Sequence, residues 1–176
     1  TLSAVAVAVL GGLSARAAAQ AMGPAASQAD ADILNVALAL EHEAIAAYQL
    51  GATSGLLAKP VLDVAVAFQS HHKAHRDALA AAIRKLGGRP VAEKSLADYA
   101  SALGAAGLKS QADVLGLAAR LELGAANAYL GVIPAFADRD LAQVAGRLAA
   151  DETLHWTALT SALGRPLPTQ ALSFGG

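Results

Sequence analysis

The sequence predicts an all-α protein built as an up-and-down bundle of four helices. Hydrophobic residues make up 55% of the 176 residues and aromatics only 4%, with Ala and Leu dominating, and both are strong helix formers. Four segments repeat apolar residues at steps of three and four, the period of a helix with one buried face. Val and Ile do not alternate with polar residues, so nothing argues for a sheet.

The first helical segment is expected from about Asp30 to Gly51, with Ile33, Ala37, Leu40, Glu41, Ala44, Tyr48 and Gly51 on one face. The second starts near Pro60, which suits a first helical turn, and stops at Gly87-Gly88. Its stripe is Val61, Ala65, Phe68, His72, His75, Leu79, Ala82 and Leu86. A long connection to about Lys109 follows, with a short helix expected from Ser95 to Leu103. The third segment runs from an N-cap at Ser110 to about Val132, with Leu115, Ala118, Glu122, Ala125 and Tyr129 inward, and Pro134 helps end it. The fourth runs from about Ala137 to Gly164, with Leu141, Ala145, Leu148, Glu152, His155 and Leu159 inward. Residues 165–176 read as an irregular tail. The two short connections imply antiparallel hairpins, and the long one can cross the bundle from end to end.

The chain also repeats itself. Glu41 and His75 are 34 residues apart, and Glu122 and His155 are 33 apart. Each of the two Glu is followed seven residues later by a Tyr, Tyr48 and Tyr129. The stripe of the second segment maps onto that of the fourth, with position 72 on 152 and 75 on 155. Two similar hairpins packed about a pseudo-twofold axis are therefore expected.

Residues 1–21 differ from the rest. An apolar run from Leu2 to Leu13 carries no acid and leads to small-residue triplets, Ala17-Ala18-Ala19 and Ala19-Gln20-Ala21. That is the core and cleavage region of an export signal, and the run is short for a membrane span, which needs about 20 apolar residues. The competing reading is a retained apolar helix that meets a membrane or neighbouring subunits in a polymer. Residues 22–29 read as a linker, and 30–164 as the bundle. An exported chain would work in the periplasm or outside the cell. The net charge is −1 with no basic stripe, so nucleic acid is not an expected partner; a homo-oligomer stays open. The absence of Cys excludes disulfides and thiol catalysis.

The residues that break the apolar seams point to chemistry. Glu41, His72, His75, Glu122, Glu152 and His155 all stand at core positions. Burying a carboxylate is costly unless it is paired or binds a metal. Glu152 and His155 form Glu-x-x-His, an i, i+3 pair on one helix face. A Glu on each of two helices with Glu-x-x-His on the other two is a dinuclear carboxylate arrangement. A metal-free polar network is the alternative. His42 and His71 point off the seams and read as surface His; Glu43 and Asp151 read as solvated. Tyr48 and Tyr129 read as core, or as hydrogen-bonding or electron-transfer partners of the site, and Trp156 as packed between helices.

The four segments, and "DILNVALALEHEAIAAYQLGA" above all, resemble the ferritin-like superfamily, especially exported bacterial ferritin-like proteins, the group that includes desiccation-related proteins. The resemblance implies that Glu41 and Glu122 are terminal carboxylate ligands, His75 and His155 terminal imidazole ligands, and Glu152 a bridging carboxylate. One departure stands out: the second bridging Glu is replaced by His72. Imidazole does not bridge two metals as a carboxylate does, and the change removes a negative charge. Mixed imidazole and carboxylate ligation suits Fe or Mn, with Zn possible, as one ion or two. Two functions follow: an exported metal protein with oxidase or peroxide-handling activity, or a non-catalytic structural, stress-related, envelope or filament-forming bundle with a degenerate site.

Overall fold

The computed structural model describes residues 23–174. Five helices form: α1 (Pro24–Thr53), α2 (Lys59–Lys85), α3 (Leu96–Ala102), α4 (Gln111–Val132) and α5 (Arg139–Ala162), with 3-10 turns at Ala105–Gly107 and Ile133–Ala135. No strand occurs among the described residues. Residues 1–21, read as an export-signal-like segment, lie outside the described residues.

Helix α1 begins six residues earlier than expected, so residues 24–29 are helix rather than linker. Pro24 occupies the first turn, where its missing N–H costs nothing. Asp30 is consequently mid-helix and serves another element. Its two carboxylate oxygens accept from the N–H groups of Ala137 and Asp138, both at 2.9 Å, where α5 begins. A negative charge there complements the positive end of the α5 dipole, and Asp30 is fully buried. Helix α4 starts as expected, its Ser110 side chain accepting from the Asp113 N–H. Helix α3 falls inside the expected short helix, and Ser95 and Asp98 form a capping box at its start.

Topology follows from two crossing hydrogen bonds. Tyr48 on α1 donates to Glu122 on α4, and Tyr129 on α4 donates to Glu41 on α1. Moving forward along α1 from 41 to 48 therefore means moving backward along α4 from 129 to 122, so these helices are antiparallel. Residues 54–58 turn α1 back into α2, which makes α2 parallel to α4. The connection 86–110 must then run the length of the bundle. It is pinned to α1 by Asn35, whose side chain donates to the Arg89 carbonyl at 3.1 Å and accepts from the Val91 N–H at 2.7 Å. Where α1 meets α4, Gly51 permits the approach: a Cβ there would lie 2.8 Å from Val114 Cγ1.

The interior has three layers. One apolar layer gathers Leu34, Leu38, Leu79, Ile83, Leu141 and Leu148. The other gathers Tyr48, Phe68, Leu115 and Leu159. Between them on every long helix lie the seam-breaking polar residues. Trp156 packs against the second layer and edge-on against Phe174 of the tail, ring centroids 5.2 Å apart.

Candidate metal centre

All six seam-breaking residues converge in the middle layer and none exceeds 7% exposure. Their ligand atoms form two overlapping groups, Glu41–His72–His75–Glu152 and His72–Glu122–Glu152–His155. The atoms of each group lie within 4.8 Å of one another. His72 and Glu152 belong to both groups, as the pseudo-repeat places them at equivalent positions on α2 and α5.

The contacts within the layer are specific. His72 Nδ1 lies 2.8 Å from Glu41 Oε2 and its Nε2 lies 3.1 Å from Glu122 Oε1. Both partners are carboxylate oxygens, so both ring nitrogens donate when His72 is an imidazolium and both Glu are ionised. His155 Nδ1 approaches Glu152 Oε2 at 3.1 Å and Glu122 Oε2 at 3.4 Å. His75 Nδ1 lies 3.2 Å from Glu152 Oε1 and 3.6 Å from Glu41 Oε1. Phe68 stacks on His155 with centroids 4.1 Å apart, closing the layer from above.

Burial and pairing compete at each group. Burial raises a carboxyl and lowers an imidazole. In Glu41 the hydrogen bond from His72 and the charges of His72 and His75 overcome burial and bring it down to about 2. Glu122 is lowered against its burial by His155 and His72. Glu152 goes the other way: burial outweighs His155 and His75 and raises it. Burial opposes charge on His72, yet Glu122 and Glu41 push it up to about 10. His75 is pushed up to about 12, its burial overcome by Asp151, Glu152 and Glu41. His155 is raised too, its burial overcome by Glu122 and Glu152, so in the metal-free layer the lowered carboxyls of Glu41 and Glu122 are held by protonated imidazoles. Tyr48 and Tyr129 are raised by burial and by Glu122 and Glu41, so both remain neutral donors.

Three site atoms are buried without a hydrogen-bond partner: His75 Nδ1, Glu122 Oε2 and Glu152 Oε1. They make charge contacts only, His75 Nδ1 facing Glu152 Oε1 at 3.2 Å and Glu122 Oε2 lying 3.4 Å from His155 Nδ1, and all three belong to the two groups. Three carboxylates and three imidazoles are a donor set that fits Fe, Mn or Zn.

Some residues read from the sequence as peripheral also touch the site. Asp151 is 57% exposed yet its Oδ2 lies 3.2 Å from His75 Nε2. His71 is exposed yet its Nδ1 lies 2.9 Å from His155 Nε2. The repeat carried the signal, because 71 maps onto 151 exactly as 72 maps onto 152; each precedes its partner by one residue and contacts the terminal His of the other hairpin. Tyr48 and Tyr129 prove to be hydrogen-bond donors to the carboxylates rather than packing alone. His42 is 8% exposed rather than a surface residue. The crossover covers it, with Val91 O at 3.3 Å from Nε2.

A bundle of this topology with a carboxylate and imidazole layer at its centre defines a ferritin-like protein. Residues 29–165 match the ferritin-like domain family, and the chain belongs to it. The crystal structure of a conserved hypothetical protein from Mycobacterium tuberculosis is similar, with a TM-score of 0.66 and 24% identity over 84% of this chain and 99% of that one. At that identity the likeness is one of fold. No curated protein matches the sequence.

Proposed function

We propose that this chain is an exported ferritin-like protein that holds one or two iron or manganese ions in its central layer. The two buried ligand groups carry the reading, because a cation at each would engage the three atoms that lack a hydrogen bond and make charge contacts only. Glu41 and His75 would hold one side, Glu122 and His155 the other, with Glu152 shared. Tyr48 and Tyr129 hold the two terminal carboxylates in place, and apolar layers flank the site above and below. Bound iron or manganese supplies one-electron redox chemistry toward dioxygen or peroxide, so oxidase or peroxide-handling activity is the expected reaction class. Zn suits the same donors without redox chemistry.

A second reading is a non-catalytic stress-related or envelope bundle. The observation that favours it is His72, which bonds Glu41 and Glu122 together and supplies those carboxylates with a partner in the absence of a cation. Metal analysis of protein purified from its native compartment separates the readings, with Glu122→Ala and Glu152→Ala as controls. Each substitution is expected to abolish binding, and unchanged metal content in both variants would refute ligation. Dioxygen or peroxide consumption by the loaded protein then decides turnover.

Export is supported by the apolar run and the small-residue triplets of residues 1–21. N-terminal sequencing of native protein is expected to give a start near Gln20 or Met22. An intact Thr1 would instead make the segment an anchoring or assembly element.

A further inference from the structure

One of the two apolar layers is incompletely filled. The layer around Tyr48 and Phe68 encloses a cavity of about 290 Å³, lined by all four long helices. The space exists because the seams carry small residues at this end, among them Ala47, Gly51, Ala65 and Ala118. The one side-chain polar group in the lining is the Tyr48 hydroxyl, and it is already donated to Glu122. The mouth lies between α2 and α5. On α1 and α4 the lining residues are buried or half-buried, whereas Val64 on α2 is 43% exposed and Ala158 and Ala162 on α5 are exposed. The α2 and α5 backbones also approach each other far less than do the hairpin pairs.

We infer that this cavity binds a compact, uncharged, apolar molecule, aromatic or alicyclic, that enters between α2 and α5. With no free donor or acceptor in the wall, a polar or charged ligand would lose its hydration without replacement. An apolar cavity of roughly 150 Å³ accepts benzene, so the volume here suits on the order of a dozen non-hydrogen atoms. The shape is squat. Its walls span Ala47 to Gly51, Pro60 to Ala65, Val114 to Ala118 and Ala158 to Ala162, roughly 6–8 Å each along the bundle. An extended alkyl chain of equal volume would be too long, whereas a fused ring system fits. The seat lies one helical turn from the central layer, Ala118 preceding Glu122 and Leu159 following His155 by four residues. The site does not depend on metal occupancy.

Naphthalene is the probe, titrated into the full chain and followed by ligand-observed NMR and thermal unfolding. Trp156 is the only tryptophan in the sequence and packs against the same layer, so its single indole N–H resonance reports the site. Binding of one equivalent is expected, with a shift of that resonance and a raised Tm. Ala118→Leu fills the interior and Ala162→Leu narrows the rim. Each is expected to weaken binding at least tenfold while metal content and helical signal stay unchanged. Should Ala118→Leu fail to fold, the exposed Ala162 position decides alone. Absence of naphthalene binding, or binding that persists in the filled variants, overturns the inference. So does preference for 1-decanol, which would mean a chain ligand. A wild-type dimer that Val64→Lys dissociates, with no naphthalene bound, would overturn it as well, because the mouth would then be a subunit interface.

Discussion

Nδ1 of His71 lies 2.9 Å from Nε2 of His155. Asp151 fills the matching place in the other half of the bundle, 3.2 Å from Nε2 of His75. The two hairpins therefore brace their terminal imidazoles in the same way but with different chemistry. A carboxylate fixes the ring orientation and raises the basicity of the opposite nitrogen. His71 does this less well. Burial and the neighbouring His155 lower its proton affinity, so it acts as a neutral partner.

That difference predicts unequal halves. Asp151→Asn is expected to lower metal affinity by about 10–100-fold, the usual effect of removing such a brace. His71→Ala is expected to cost less. Competition against a chelator of known affinity measures both. Equal losses would mean that the two halves hold a cation equally and that the asymmetry at 71 and 151 has no consequence.

The tyrosines allow a sharper comparison within the metal-free protein. Glu41 Oε1 has Tyr129 as its hydrogen-bond donor, since His75 Nδ1 stands off at 3.6 Å. Glu122 Oε1 has Tyr48 and also His72 Nε2 at 3.1 Å. Tyr129→Phe leaves a buried carboxylate oxygen without a donor, and Tyr48→Phe does not. Urea unfolding is expected to show a loss of about 1–3 kcal/mol for Tyr129→Phe and a smaller loss for Tyr48→Phe. The reverse order would contradict the bonding described for Glu41.

The seams made the fold legible, because a helix that buries one face must repeat apolar residues at three and four. The same logic exposes Glu41, His72, His75, Glu122, Glu152 and His155, since polar residues on those seams cannot reach water. It does not expose His71, Asp151 or His42, which stand on helix flanks. A flank residue meets the site only through the crossing of neighbouring helices, and for His42 through the path of the crossover. Asp30 is illegible for another reason. An acid before an apolar run reads as a helix start, but here Pro24 begins the helix and frees Asp30 to bind the start of α5, more than a hundred residues away in sequence.

The shifted groups predict how stability of the metal-free protein depends on pH. His72 and His75 are raised in the folded state, to about 10 and about 12. Their contribution is complete below the unfolded imidazole value and is lost as pH rises toward 10 and beyond. Glu41 is depressed to about 2, so its contribution is complete above the unfolded carboxyl value of 4.5 and is lost as pH falls toward 2. The Tm of metal-free protein is therefore expected to peak between the two unfolded values, in mildly acidic solution. Metal binding requires the same imidazoles without their protons. Added metal is expected to move the peak upward in pH and to release protons, measurable in a weakly buffered titration. An unchanged profile in metal-saturated protein would show that the cation does not meet His72 or His75.

The decisive residue is His72, because it stands in both ligand groups and, raised to about 10 by Glu122 and Glu41, takes the place of a cation between them in the metal-free protein. Its position is matched by Glu152 on α5, so His72→Glu makes the two hairpins equivalent at the shared place. The substitution removes one positive charge and adds one negative charge, leaving four carboxylates where two dications need them. It also frees Glu41 Oε2 and leaves Glu122 Oε1 to the Tyr48 hydroxyl alone, each now held by a His72 nitrogen. Metal content measured by elemental analysis is expected to rise toward two ions per chain. Without metal the variant should be less stable than wild type, since buried carboxylates would face one another without the imidazolium between them. With metal the order should reverse, so the difference in Tm between loaded and metal-free forms widens. A variant whose metal content stays at the wild-type level, and whose Tm does not respond to added metal, would show that position 72 is not what limits occupancy.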